Sequence, residues 1–160
     1  MPSYETLLFL HVTSAFVFVA SYVGFSIALF FARRVQRPEA ALALLRIVRP
    51  VDALAWIGAT GTILFGVWLA IDVDGYELWD PWIAGALVLW LVTEEAIRRE
   101  NLLFGKARRA ARAPLATPES RAADTRALLR SRTANLLHGA GGVGMLGILA
   151  LMIFKPGAGG

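Results

Sequence analysis

The histidines of the 160-residue chain are His11 and His138, and both sit inside long apolar runs. Histidine within such a run is rare and often functional, either as a ligand for a metal or as a proton carrier. Met152 lies a few residues before Lys155, near the level of His11 if the first and last apolar runs lie side by side. A His/Met pair could hold haem iron or, with more soft ligands, copper. His138, Met145 and Met152 recur seven apart, a rough stripe along one helix that resembles a ladder for a soft cation. Methionine also fills irregular gaps in a core, so the stripe has a packing explanation beside the chemical one. Near His138 the folded chain should bring Asp52, Glu94 and Glu95. A histidine among carboxylates could relay protons or bind a divalent cation. Equally, Glu94 with Arg98 and Glu95 with Arg99 are i, i+4 pairs in the favourable order, able to satisfy one another at a helix surface.

Other chemistries are missing from the sequence. With no cysteine, disulfides, thiolate metal sites and thiol catalysis are excluded. No nucleophile–base constellation, phosphate-binding glycine loop or pair of acid/base carboxylates at a buried site is visible, so no catalytic residue is assigned and a non-enzyme is the favoured class. The identity of any cofactor stays open between haem, copper and neither.

The elements that must position these residues are membrane spans. The chain is 57% hydrophobic, with a mean hydropathy of +0.59, too apolar for an ordinary soluble domain. Runs of about 20 apolar residues can cross a bilayer as helices, and four candidates occur: about 4–31, 51–71, 81–98 and 134–154. The third is short and has a charged inner end. The opening "MPSYETLLFL" has Glu5 and no base, unlike a cleavable signal, so the first run should remain in the mature protein. The expected fold class is all-α, a single transmembrane domain over 1–160 built as a four-helix bundle.

Charge sets its orientation. Of the 16 basic residues, all but Lys155 lie in 33–49 and 98–132, whereas "IDVDGYELWD" has Asp72, Asp74, Glu77 and Asp80 and no base. By the positive-inside rule the loops 33–49 and 99–132 face the cytoplasm and both termini face out. That explains the net charge of +4 without nucleic acid as a partner. Lys155 can snorkel at the outer end and meet the helix dipole. His11 then lies near the outer surface and His138 near the inner one, about 15–20 Å apart at 1.5 Å per residue. A bis-histidine haem within one subunit is disfavoured.

The inner loops should be helical extensions. Pro50 should kink or break the chain before the second span. Thr117 and Pro118 offer a cap and a first helical residue, so the fourth helix should start near Pro118, and the third should run past Glu100. Tyr4, Trp79 and Trp82 read as an interfacial aromatic belt. Small residues allow close helix packing in lipid: Gly58, Thr62 and Gly66 share one face, as do Ser14, Ser21 and Ala28 with His11, and Ala140, Gly144 and Gly147. These faces would serve contacts within the bundle, self-association or other membrane subunits.

The segments "LLFLHVTSAFVFVASYVGF", "GTILFGVWLAID", "WDPWIAGALVLWL" and "LMIFKPG" resemble a bacterial family of predicted integral membrane proteins of unknown function, over nearly the whole chain. Its four-helix layout is similar to CopD-type copper-resistance proteins and to HemJ-type protoporphyrinogen oxidases, which carry an early histidine matched here by His11. HemJ-type enzymes also share a basic residue within the third helix, and this chain has none there before Arg98. The resemblance implies the bacterial cytoplasmic membrane. Three functions follow as expectations: an accessory or binding subunit supporting a redox or transport assembly; a haem- or copper-handling protein using His11, with Met152 or another chain's residue as second ligand; and a HemJ-like porphyrinogen oxidoreductase.

Overall fold

The structure is a computed structural model that describes residues 3–157 apart from 36, 73–76, 114 and 115. Asp74 of the acidic stretch therefore lies outside the described residues. Among the described residues there are five helices and no strand: α1 (Tyr4–Arg34), α2 (Pro38–Asp72), α3 (Pro81–Ala111), α4 (Pro118–Leu129) and α5 (Arg132–Phe154). α1, the Pro50–Asp72 part of α2, and α5 are each long and apolar enough to cross a membrane. α3 is as long as α1, but Glu94, Glu95 and Arg98 interrupt its apolar run.

The apolar surface is turned outward as a lipid-facing chain requires. Phe16 and Val143 are each 72% exposed and Ile153 is 73% exposed. A helix satisfies its backbone internally, so it can present such a surface to hydrocarbon. α1 begins at Ser3, whose hydroxyl accepts from the Thr6 N–H, with Glu5 in the first turn and Arg33 and Arg34 in the last. Cap and charges thus match the helix dipole at both ends.

Close approach of α1 and α2 depends on missing side chains. A Cβ at Gly58 would come within 2.5 Å of the Phe18 nitrogen, and Gly61 faces Ser14. Ser21 is buried on α1. On α5, a Cβ at Gly147 would lie 2.7 Å from Leu89, while Gly144 rests on Thr93. The α5 stripe differs from the expected one in one residue: Ala140 is exposed and Gly141 is buried instead.

Two expectations about the arginine-rich end are corrected. The helix does not break at Pro50; α2 is continuous from Pro38 to Asp72. Proline removes one N–H, but Val48 before it and Val51 after it pack against the same cluster of Phe25, Leu29 and Phe104, which ties both sides of Pro50 to one core. Conversely, the helix expected to start at Pro118 and run into the last span is two helices. α4 has the anticipated Thr117 cap and Pro118 start, but α5 starts afresh at Ser131, whose side chain accepts from the Ala134 N–H. The local cap competes with helix continuation. Docking favours the break: Leu129 enters the core with Phe25 and Ala107. Arg33 Nε donates to the Leu129 carbonyl at 2.8 Å and Arg130 Nη2 to the Arg33 carbonyl at 2.7 Å. Each arginine thereby caps the C-terminus of the other's helix.

Candidate functional site

Two separate cavities hold the polar residues that the spans bury. The first lies at the acidic end, where α1, α2, α3 and α5 surround a space of ≈ 270 Å³. Gly66 on α2 makes room for the His11 ring, since a Cβ there would sit 2.8 Å from its Cε1. His11 Nδ1 is 2.9 Å from the Thr62 carbonyl oxygen. A carbonyl only accepts, so Nδ1 carries the proton and, in the neutral ring, Nε2 keeps its lone pair. A backbone carbonyl accepting from one ring nitrogen is the contact that fixes the tautomer of a ligating histidine. The walls are otherwise mostly aliphatic and aromatic, including Leu8, Val12, Ile63, Ile83 and Ile148, with Met152 on the α5 side. Trp90 also lines the space, and its indole N–H is buried without a hydrogen-bond partner among the described residues.

The rim of this cavity revises the aromatic belt. Trp79 is 75% exposed and Tyr4 is exposed too, as interfacial residues should be. Trp82 is 6% exposed and packs inward with Ala70 and Ile83. Lys155 Nζ sits 5.4 Å from its ring centroid, a cation–π contact. Lys155 is also the left-handed C-cap of α5, with φ 41°.

The second cavity lies toward the arginine-rich end, between α1, α2 and α3, and has a volume of ≈ 40 Å³. Asp52, Glu94 and Glu100 all line it, with Phe18, Tyr22, Phe25 and Trp56. Beside it, His138 stacks on Tyr22 with ring centroids 5.2 Å apart, and the Tyr22 hydroxyl donates to the His138 carbonyl. His138 Nδ1 approaches Glu100 Oε1 to 3.1 Å. The approach is out of line for a hydrogen bond, so both atoms are buried without one.

The structure therefore brings His11 and Met152 to one cavity and sends His138 elsewhere. Tyr22, which touches His138, is eleven residues from His11 on α1, about 16 Å along the helix. The methionine stripe is split: Met145 packs in the middle against Phe18 and Ala59. Among the described residues no group of three or more histidine and acidic side chains could hold a metal ion. Of the three carboxylates expected near His138, Asp52 and Glu94 line the second cavity, but Glu95 turns outward. It pairs with both Arg98 and Arg99 at 2.7 Å, leaving Glu94 without the Arg98 pairing that its spacing allowed.

The carboxylate beside His138 is Glu100, which sequence reasoning passed over. The signal was present: Ala86, Thr93, Glu100 and Ala107 recur at seven and are all buried. A glutamate in phase with a stripe of small buried residues faces the interior however charged its neighbours are.

Long apolar helices with lipid-facing hydrophobic surfaces and polar groups turned inward define a multi-pass helical membrane protein. A family model described as "Predicted integral membrane protein (DUF2269)" matches residues 5–156, and the chain belongs to that family. Searches of curated proteins and of solved structures returned no match.

Proposed function

We propose that the protein is a membrane-embedded binding subunit that holds a lipid-soluble ligand in the cavity beside His11. In this reading α3 is a fourth span, the arginine-rich end faces the cytoplasm and both termini face out, in keeping with the charge asymmetry. The observation that carries the reading is a pair of polar atoms in an otherwise largely apolar cavity. His11 presents the Nε2 lone pair, and Trp90, which lines the same space, has a buried N–H with no hydrogen-bond partner among the described residues. An unsatisfied buried donor costs about 1–3 kcal/mol, and the acyl chain of a bulk lipid cannot repay that. A ligand with an apolar body, an acceptor for Trp90 and a donor or metal for His11 does.

A haem or copper ligand is one version of this reading, supported by the Nδ1–H to carbonyl contact of His11 and by Met152 in the same cavity. The glycine faces weigh against docking of a partner through them, because Gly58, Gly66, Gly144 and Gly147 are each filled by a neighbour within the chain. The test is to purify the protein from native membranes, record its absorption spectrum, assay copper, and extract the bound organic molecules for mass spectrometry. A molecule other than phospholipid, present in wild type and lost in His11→Ala, is expected. A Soret band would identify it as haem. Recovery of phospholipid alone, equally from both proteins and with no metal or chromophore, overturns the proposal.

A further inference from the structure

The two polar atoms of the cavity beside His11 lie at one depth. α3 starts at the same end as α1, because Trp82 packs on Ala70 near the end of α2 while His11 of α1 lies against Gly66. His11 comes seven residues after Tyr4, where α1 starts, and Trp90 nine after Pro81, where α3 starts. At 1.5 Å per residue both sit about 10–14 Å along their helices. The Thr62 carbonyl occupies Nδ1–H of His11 and leaves Nε2 as an acceptor. The Trp90 indole N–H is a donor with no hydrogen-bond partner among the described residues. Thr62 does not compete for either, since its hydroxyl donates to the Gly58 carbonyl. One hydroxyl on a ligand answers both atoms: its hydrogen goes to Nε2 and its oxygen takes the indole hydrogen.

The size and walls of the space narrow the rest of the ligand. A cavity of about 150 Å³ takes one benzene ring, and this one has ≈ 270 Å³. It suits one substituted ring and not the four-ring macrocycle of a haem. A bare metal ion finds little to hold it, because among the described residues no three histidine and acidic side chains gather around one point. Trp82 and Trp90 supply ring surface for aromatic contact, and Leu8, Ile63 and Ile148 supply aliphatic surface. A phenolic O–H, with a pKa of about 10, is a stronger donor to an imidazole nitrogen than an aliphatic hydroxyl.

Building on the binding-subunit reading, we propose that the ligand beside His11 is a single-ring phenol whose hydroxyl donates to His11 Nε2 and accepts from the Trp90 indole. Two sources share that chemistry: a phenol with a long apolar tail that resides in the bilayer, and a small phenol that arrives from water.

The experiment uses the full chain in phosphatidylcholine nanodiscs after detergent exchange to remove co-purified ligand. para-Propylphenol and its methyl ether, para-propylanisole, are titrated calorimetrically, with protein-free nanodiscs as the partitioning blank. The ether keeps the ring, the tail and an acceptor oxygen, and exchanges the O–H for a methyl group. The phenol should bind saturably and about tenfold more tightly than the ether, a difference of about 1.4 kcal/mol. His11→Ala should erase that preference, whereas Trp90→Phe should weaken both probes alike, because either oxygen accepts from the indole. Retained helical circular dichroism and monodispersity qualify each variant, and the wild-type ratio stands without them. para-Pentadecylphenol supplied in the bilayer separates the sources. Competition with the propyl probe supports the tailed phenol, and absence of competition supports the small one. Three outcomes overturn the proposal: the ether binding as tightly as the phenol, a preference that survives His11→Ala, or neither probe saturating. With a co-purified molecule still lost in His11→Ala, any of these removes the phenol and leaves the binding-subunit reading standing; recovery of phospholipid alone removes that reading itself.

Discussion

Replacing Gly58 by alanine tests the helix contact on which both cavities depend. The new methyl carbon would lie 2.5 Å from the Phe18 nitrogen, 2.9 Å from its Cα and 2.9 Å from the Ser14 carbonyl oxygen. All three are backbone atoms, so no rotamer change relieves the overlap and α1 must move away from α2. Overpacking in a tight core costs about 1–3 kcal/mol, and contact with rigid backbone places this case at the upper end. Alanine recovers about 1 kcal/mol of helix propensity. The net effect should be a loss of about 2 kcal/mol, close to thirtyfold in the unfolding equilibrium. Gly139→Ala is the internal control, because a Cβ there meets nothing within 4 Å and only the propensity gain applies. Reversible unfolding in mixed detergent micelles, followed by circular dichroism, measures both. Equal stability of Gly58→Ala and Gly139→Ala would refute the account of α1–α2 packing.

Three further outcomes follow from particular contacts. Gly66→Ala should push the His11 ring off the Thr62 carbonyl, lowering recovery of the co-purified ligand while circular dichroism stays helical; unchanged recovery would detach Gly66 from the site. Ser131→Ala removes the cap that separates α4 from α5 and should cost about 1 kcal/mol, read in the same unfolding assay as Gly58→Ala. Arg130→Ala strips the Arg33 carbonyl of two donated hydrogen bonds and should release α4, seen as faster tryptic cleavage between residues 112 and 132 than in wild type. Arg108→Ala, a basic residue not hydrogen-bonded to α1, is the comparison, and equal cleavage of the two would count against the docking of α4.

Hydropathy and charge were enough to read the long helices, because a lipid-facing surface imposes uninterrupted apolar runs and concentrates arginine at one end. The small-residue faces were legible for the same reason: Gly58, Gly66 and Gly144 could only be tolerated where another helix approaches. What the sequence hid was rotation and local competition. Glu94 and Glu95 both look able to pair with an arginine four residues on, yet only one of two adjacent residues can point outward, and the outward one takes both arginines. Trp82 follows Pro81 at the start of α3, where the sequence suggests an interfacial anchor, but its phase on α3 turns it toward Ala70. The break at Ser131 has a local signature in the serine cap, but which of the two outcomes wins depends on Leu129 finding a core built by α1, α2 and α3.

The layer between the cavities explains why they must be treated as two sites. Phe18, Ala59 and Met145 form a buried apolar cluster, with Val19, Ala55 and Ile97 packed against it. Thr93, 1% exposed, spends its hydroxyl on the Leu89 carbonyl beside Gly144. This layer lies between the His11 level and the Glu100 level. Met145, which in sequence resembles the middle rung of a soft-metal ladder, is part of the seal. The Gly58–Phe18 contact ties α1 to α2 at this level, because a Cβ at Gly58 would meet the Phe18 backbone.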